Sequence, residues 1–409
     1  MAAIAALAVV VPATPAAAAD GQWWYDVYDV AGVHAEGWTG EGVKIAVVDS
    51  QINPELPDFA GADLTVAPGA ACEGAEPSTT EANAMSEHGS TVTAMLVGNG
   101  TGVAGTKGIV PDASVTFYGV GALAECTPTP EVDAAGLTPV MWMIQRALDD
   151  GADIIMTAIV IGMPGANDHL TVAKAAAMKV PIVAGNPNNG IKEGIYPAGL
   201  NAVIAVSGVD IDGNLAIGGL GVPNAILDTT VVAPGVDIAV IGDGSGSWNV
   251  SGRATGTSLA TPQVAGILAA AKQKYPSATG NQLMQSLVHN TGKDDHPLEY
   301  SATGGFGFGA ASLQHVLSKD PTQYDDVNPV LGKGTQVPSP ADVEAAASAL
   351  ESPAPTGPDA PDAPEGSGAS ILPVILGVGV GVLILIIAAV VVTVVLVRRS
   401  NSSQRKGQP

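Results

Sequence analysis

Gly256-Thr257-Ser258-Leu259-Ala260-Thr261-Pro262 runs directly into the apolar stretch Gln263 to Ala271, where Val264, Ile267 and Leu268 recur at helical spacing. A serine in such a turn opens a helix. It sits at the positive end of the helix macrodipole, where developing negative charge is favoured and an oxygen nucleophile is well placed. The same position suits an ordinary N-cap, for which serine is a preferred residue whatever the function. A hydroxyl becomes a nucleophile only if a base takes its proton and a third group holds the base.

Both partners are present upstream. Val43-Lys44-Ile45-Ala46-Val47-Val48-Asp49 is a short apolar run ending in an acid. It reads as a buried parallel strand with Asp49 at its C-terminal end, the edge where ligands gather in open α/β sheets. Asp49 is also of a type common in strand-to-loop turns. Of the six histidines, only His88 is followed directly by glycine and then by helix-period apolar residues, Val92, Met95 and Leu96. Asp49 and His88 are 39 residues apart, and His88 and Ser258 are 170 apart, so the three meet only through the fold. Short apolar runs at Val43–Val48, Ser114–Tyr118, Asp153–Ile159, Pro181–Ala184 and Ala202–Val206 read as strands. Val140–Leu148 and Thr171–Met178 read as helices between them. The alternation predicts an α/β fold, a mostly parallel sheet with helices on both faces.

At these residues the chain resembles the subtilisin-like serine proteases. Four segments carry the likeness: Val47-Val48-Asp49-Ser50, His88-Gly89-Ser90, Val183-Ala184-Gly185-Asn186 and the Gly256–Pro262 stretch. Connecting pieces agree: Gly108 to Ala113, Tyr196-Pro197-Ala198 with Val203 to Val206, and Val232 to Ile238. The order Asp, His, Ser is that of subtilisin. The likeness runs from about Trp23 to Leu317. It implies the family's three-layer fold and assigns roles. Ser258 would attack the scissile carbonyl, His88 would serve as base and then acid, and Asp49 would hold the imidazole. Asn186 would donate to the oxyanion beside the Ser258 N–H. Asn186 also lies in a run dense in turn formers, Gly185 to Gly190. No cofactor is required by this chemistry; subtilisin-like proteins often carry structural calcium on scattered backbone oxygens, which leave no sequence pattern.

Two departures bear on activity. Gln51 stands where the family has glycine, which admits backbone angles that glutamine does not. Val160 falls in Ala158 to Val160, where the family has Ser-Leu-Gly and substrate adds as a strand. They motivate an alternative, a catalytically weak or inactive subtilase-like structural subunit of a membrane secretion complex. A lesser departure is Ser90-Thr91 after His88-Gly89.

The 409 residues carry a formal charge of −23, which argues against a nucleic-acid partner, since that needs a basic face. The chemistry points instead to a protein or peptide substrate. Two cysteines, Cys72 and Cys126, suggest one disulfide in an exported protein, with unpaired thiols as the alternative; neither has metal-ligand spacing. Residues 1–19 read as a signal peptide, with an apolar core from Ala2 to Val11 and small residues before Asp20, though without the usual positive start. The protease domain is expected over 20–318. From 319 to 370 the chain is rich in Pro, Ala and Asp and reads as a disordered linker. Ile371 to Val397 holds 27 residues without a charge, about 40 Å as a helix and enough to span a bilayer with tilt. Arg398, Arg399, Arg405 and Lys406 lie in the tail 398–409, which the positive-inside rule puts in the cytoplasm, with the protease outside. A sortase signal would need a Leu-Pro-any-Thr-Gly pentapeptide, and Leu372-Pro373-Val374-Ile375-Leu376 does not match it. Signal, subtilisin-like domain, Pro-rich linker and one span resemble the mycosins, membrane-anchored proteases of type VII secretion. That resemblance implies secretion-system membrane proteins as partners.

Overall fold

The side chains of one interior strand alternate between two cores. Ile45 and Val47 of β1 (Lys44–Asp49) enter one, Ala46 and Val48 the other, and none is more than 1 % exposed. A strand buried on both faces must be apolar throughout, and parallel sheets are buried in this way. The computed structural model describes residues 21–351, apart from 122–125, 190–194, 227, 303 and 334–335. The expected signal peptide 1–19, the expected transmembrane segment 371–397 and the tail 398–409 therefore lie outside the described residues. Among those described, no helix is long and apolar enough to cross a membrane.

Further strands are β2 (Leu64–Val66), β3 (Ser114–Gly119), β4 (Ile154–Thr157), β5 (Ile182–Gly185), β6 (Val203–Val209), β7 (Val231–Pro234), β8 (Ile238–Ile241) and β9 (Ser251–Ala254). The main sheet has the order β2-β3-β1-β4-β5-β6-β7, with every pairing parallel. β8 and β9 form an antiparallel hairpin. The helices are α1 (Trp23–Val27), α2 (Val30–Ala35), α3 (Ala84–Val97), α4 (Pro130–Ala135), α5 (Pro139–Asp149), α6 (Asp168–Ala177), α7 (Thr257–Lys274), α8 (Gly280–His289), α9 (Leu313–Ser318) and α10 (Pro340–Glu351).

One face of the sheet is covered by α3 and α7 with α8 and α9, the other by α4, α5 and α6. The α/β reading thus holds, with strand ends shifted by no more than three residues. From β1 the chain passes to β2 on one side, and from β3 it crosses β1 to reach β4 on the other, which makes the C-terminal end of β1 a topological switch point. Asp49 stands there. α7 is buried on all sides from Thr257 to Ala271, which explains its apolar, alanine-rich sequence. At Gly266 an added Cβ would meet Ile109 Cγ2 at 2.0 Å, so α7 can lie this close only with glycine there.

The domain boundary at 318 needs correction. The described residues of 319–351 belong to the folded body. Val330 is buried, its carbonyl accepts the Ala202 N–H at 2.8 Å, and the Val337 carbonyl accepts the Asn201 N–H at 2.8 Å. α10 packs on α6. A Pro-rich composition cannot build a core of its own, but a few apolar side chains can complete an existing one. The rest of the expected linker, 352–370, lies outside the described residues.

Candidate active site

β1 delivers Asp49 to the switch point, where its side chain is fully buried. Oδ1 accepts the Ser50 N–H at 2.7 Å and the His88 Nδ1–H at 3.0 Å. α3 delivers His88 from its first turns. Asn83 caps this helix by accepting the Met85 and Ser86 N–H groups, and Ser86 returns the bond to the Asn83 N–H. Gly89 lets α3 approach, because a Cβ there would stand 2.1 Å from the Gln51 carbonyl oxygen. Thr91 Oγ1 accepts the Ile241 N–H and ties α3 to β8.

Burial of His88 disfavours its charged form, but the charge and the hydrogen bond of Asp49 outweigh this and raise the imidazole above its ordinary pKa. Because Nδ1 carries the proton donated to Asp49, the lone pair is on Nε2. Ser258 occupies the first turn of α7 and is 9 % exposed. It shares with His88 the lining of a cavity of about 490 Å³. Pro262, one turn on, removes the N–H that would bond the Ser258 carbonyl in a regular helix.

Asn186 lies buried behind the serine turn. Its N–H still bonds the Val206 carbonyl in line with β5, its side chain is fully buried, and its amide Nδ2 donates to Thr229 Oγ1 at 2.9 Å. Its backbone carbonyl accepts the Thr257 hydroxyl. It braces the serine turn from below. The exposed amide at that turn is Asn188. Asn188 Oδ1 accepts the Thr257 N–H at 2.9 Å and an Asn224 Nδ2–H at 3.2 Å. Only an amide oxygen can accept from a backbone N–H, so Nδ2 faces the other way, toward Gly256. A Cβ placed on Gly256 would lie 3.2 Å from both Asn188 Nδ2 and Ser258 Oγ. The glycine keeps open the space between serine and amide. Sequence reasoning ended β5 at Ala184, whereas the ladder continues to Gly185 and holds Asn186 inside; Pro187 then releases the chain.

Gln51 is not among the residues with positive φ, so its backbone is of a kind any residue adopts. Its side chain donates to the Glu76 carbonyl. Val160 is 38 % exposed beyond the end of β4. Cys72 and Cys126 are bonded to each other, with Cα atoms 5.1 Å apart. Among the described residues, no group of three or more His, Cys, Asp or Glu could hold a metal ion.

Residues 40–309 match the Subtilase family, Peptidase_S8. The chain belongs to the subtilase family. It is 30 % identical over 268 residues to M-protease of Shouchella clausii, covering 65 % of this chain and 63 % of that protein. Subtilisin BL of Lederbergia lenta is also 30 % identical over 268 residues, with 89 % of it covered. The solved structure of prenylagaramide maturation protease PagA superposes with a TM-score of 0.53 at 21 % identity, over 71 % of this chain and 97 % of that one, a likeness of fold. On family, fold and centre together, the matched region is a subtilisin-like serine endopeptidase domain.

Proposed function

We propose that the whole protein is a membrane-anchored serine endopeptidase of the mycosin kind, acting outside the cytoplasm beside a type VII secretion system. The observation that carries the peptidase part is the hydrogen bond from His88 Nδ1 to buried Asp49, with Ser258 on the same cavity. Nε2 of His88 accepts the Ser258 proton as Oγ attacks the substrate carbonyl. The oxygen turns anionic at the N-terminus of α7, where the Ser258 N–H and the macrodipole stabilise it. Asn188 supplies the side-chain donor. The imidazolium, held by Asp49, then protonates the departing amine; water repeats the cycle on the acyl-enzyme.

Support for the anchor comes from the uncharged run 371–397 and the arginines after it. The link to type VII secretion rests on domain order alone. The substrate is a protein or peptide, and the secretion-system membrane proteins are proposed as neighbours. A structural, catalytically idle subunit is the second reading, favoured by the exposed Val160 side chain where a substrate strand would lie.

A fluorophosphonate probe on the purified protein tests the first reading. Labelling of the natural chain and none of Ser258→Ala is expected. Absence of labelling in both would favour the structural subunit. Extraction from membranes by detergent, without cell-wall hydrolase, is the result expected of the anchor.

A further inference from the structure

The cavity beside Ser258 and His88 is lined from one side only. Its walls are the first turns of α3, the β8–β9 hairpin and the turn into α7, with nothing from 158–161 or 186–188. His88 passes its proton to the departing amine, so the departing segment leaves on the His88 side. A cavity on that side is placed to receive the first side chains of that segment.

One wall carries a group that the chemical steps do not use. Glu87 precedes His88 directly and is 7 % exposed. Its Oε2 accepts the Gly244 N–H at 3.0 Å, while Oε1 is buried with no hydrogen-bond partner among the described residues. Such an oxygen costs free energy until a donor arrives. Gly242 packs directly against the carboxyl, since a Cβ there would lie 2.2 Å from Glu87 Cδ. Two further charged side chains, Asp243 and Arg253, line the cavity beside the neutral imidazole of His88. Asp243 is acidic, with its carboxyl held below the usual range by the Ser245 hydroxyl and N–H. Arg253 bonds Asp237 at 2.8 Å, which balances its charge. The local excess is negative.

We propose that Glu87 makes this cavity select a cationic side chain, lysine or arginine, at one of the first two residues of the departing segment. The proposal rests on the peptidase reading and specifies its substrate class. Glu87 acts here as a specificity residue, by a charge-assisted hydrogen bond to the incoming side chain.

The test digests a mixed-sequence decapeptide pool with the full chain and sequences the new N-termini. Lysine and arginine are expected to be enriched about tenfold over norleucine at the first or second position, the size of one charged hydrogen bond. In Glu87→Gln the enrichment should collapse toward one. No enrichment in the natural chain, or equal enrichment in the variant, overturns the proposal. A second measurement separates it from the peptidase reading. Ser258→Ala, which cannot cleave, is titrated with a lysine-rich pool and its norleucine counterpart. Tighter retention of the lysine pool, lost in the Ser258→Ala, Glu87→Gln double variant, upholds the subsite even if the natural chain cleaves nothing, and in that case the peptidase reading is what fails. Equal retention of both pools overturns the subsite.

Discussion

Replacing Asn188 separates the two asparagines of the Asn186-Pro187-Asn188 run by their physical roles. Asn188→Ala removes an amide whose Oδ1 is already fixed by two donors, Thr257 N–H and Asn224 Nδ2, so its Nδ2 is oriented before substrate arrives. A pre-oriented donor to the oxyanion contributes roughly 3 kcal/mol, so kcat should fall by about 10² to 10³. KM should change little, because the interaction strengthens only as the carbonyl oxygen becomes anionic. Asn188→Asp is the sharper variant. It retains an acceptor for the Thr257 N–H, removes the donor and puts a negative oxygen where negative charge develops; its loss should equal or exceed that of alanine. Asn186→Ala has a different signature. It removes one buried bond to Thr229 and costs about 1–3 kcal/mol of stability, with kcat within a few-fold of the natural chain. The assay is steady-state hydrolysis of an unfolded protein or peptide, alongside thermal unfolding of each variant. A large kcat loss in Asn186→Ala with none in Asn188→Ala would refute the assignment.

Asp49→Asn removes the charge that lifts His88, so the acid limb of the kcat/KM profile should move to lower pH while kcat drops by about 10⁴. The sign follows from the neutral imidazole being the active base: in the natural chain activity is lost as pH falls through a pKa above the ordinary value. An unmoved limb would refute the coupling. Cys72 and Cys126 close a loop with a sequence separation of 54, for which chain entropy gives about 4 kcal/mol. Replacing both by serine should lower the denaturation midpoint by a matching amount, read in guanidinium titration. A chain ending at residue 318 should unfold several degrees below one ending at 351, because it loses Val330 and the bonds to Asn201 and Ala202. Equal midpoints would restore the shorter boundary.

Much of this was legible in the amino-acid order. β1, β3 and α5 declare themselves through apolar runs and periodicity, because burial on two faces, or on one helical stripe, demands that pattern wherever it occurs. Asp49, His88 and Ser258 stand out because each lies at the end of such an element. The different placements of Asn186 and Asn188 did not emerge, since they are the same residue type two positions apart. What separates them is how far the β5–β6 ladder extends, a property of pairing between strands some 20 residues apart along the chain. The fate of 319–351 was hidden for a related reason: its composition describes what the segment can bury alone, while its order comes from a groove that others build. The sequence by itself determined the layers and singled out the three candidate reacting groups, Asp49, His88 and Ser258. Only tertiary structure decided which amide faces the serine, which carboxyl lines its cavity and where the folded body ends, because each depends on contacts between residues that local pattern does not bring together.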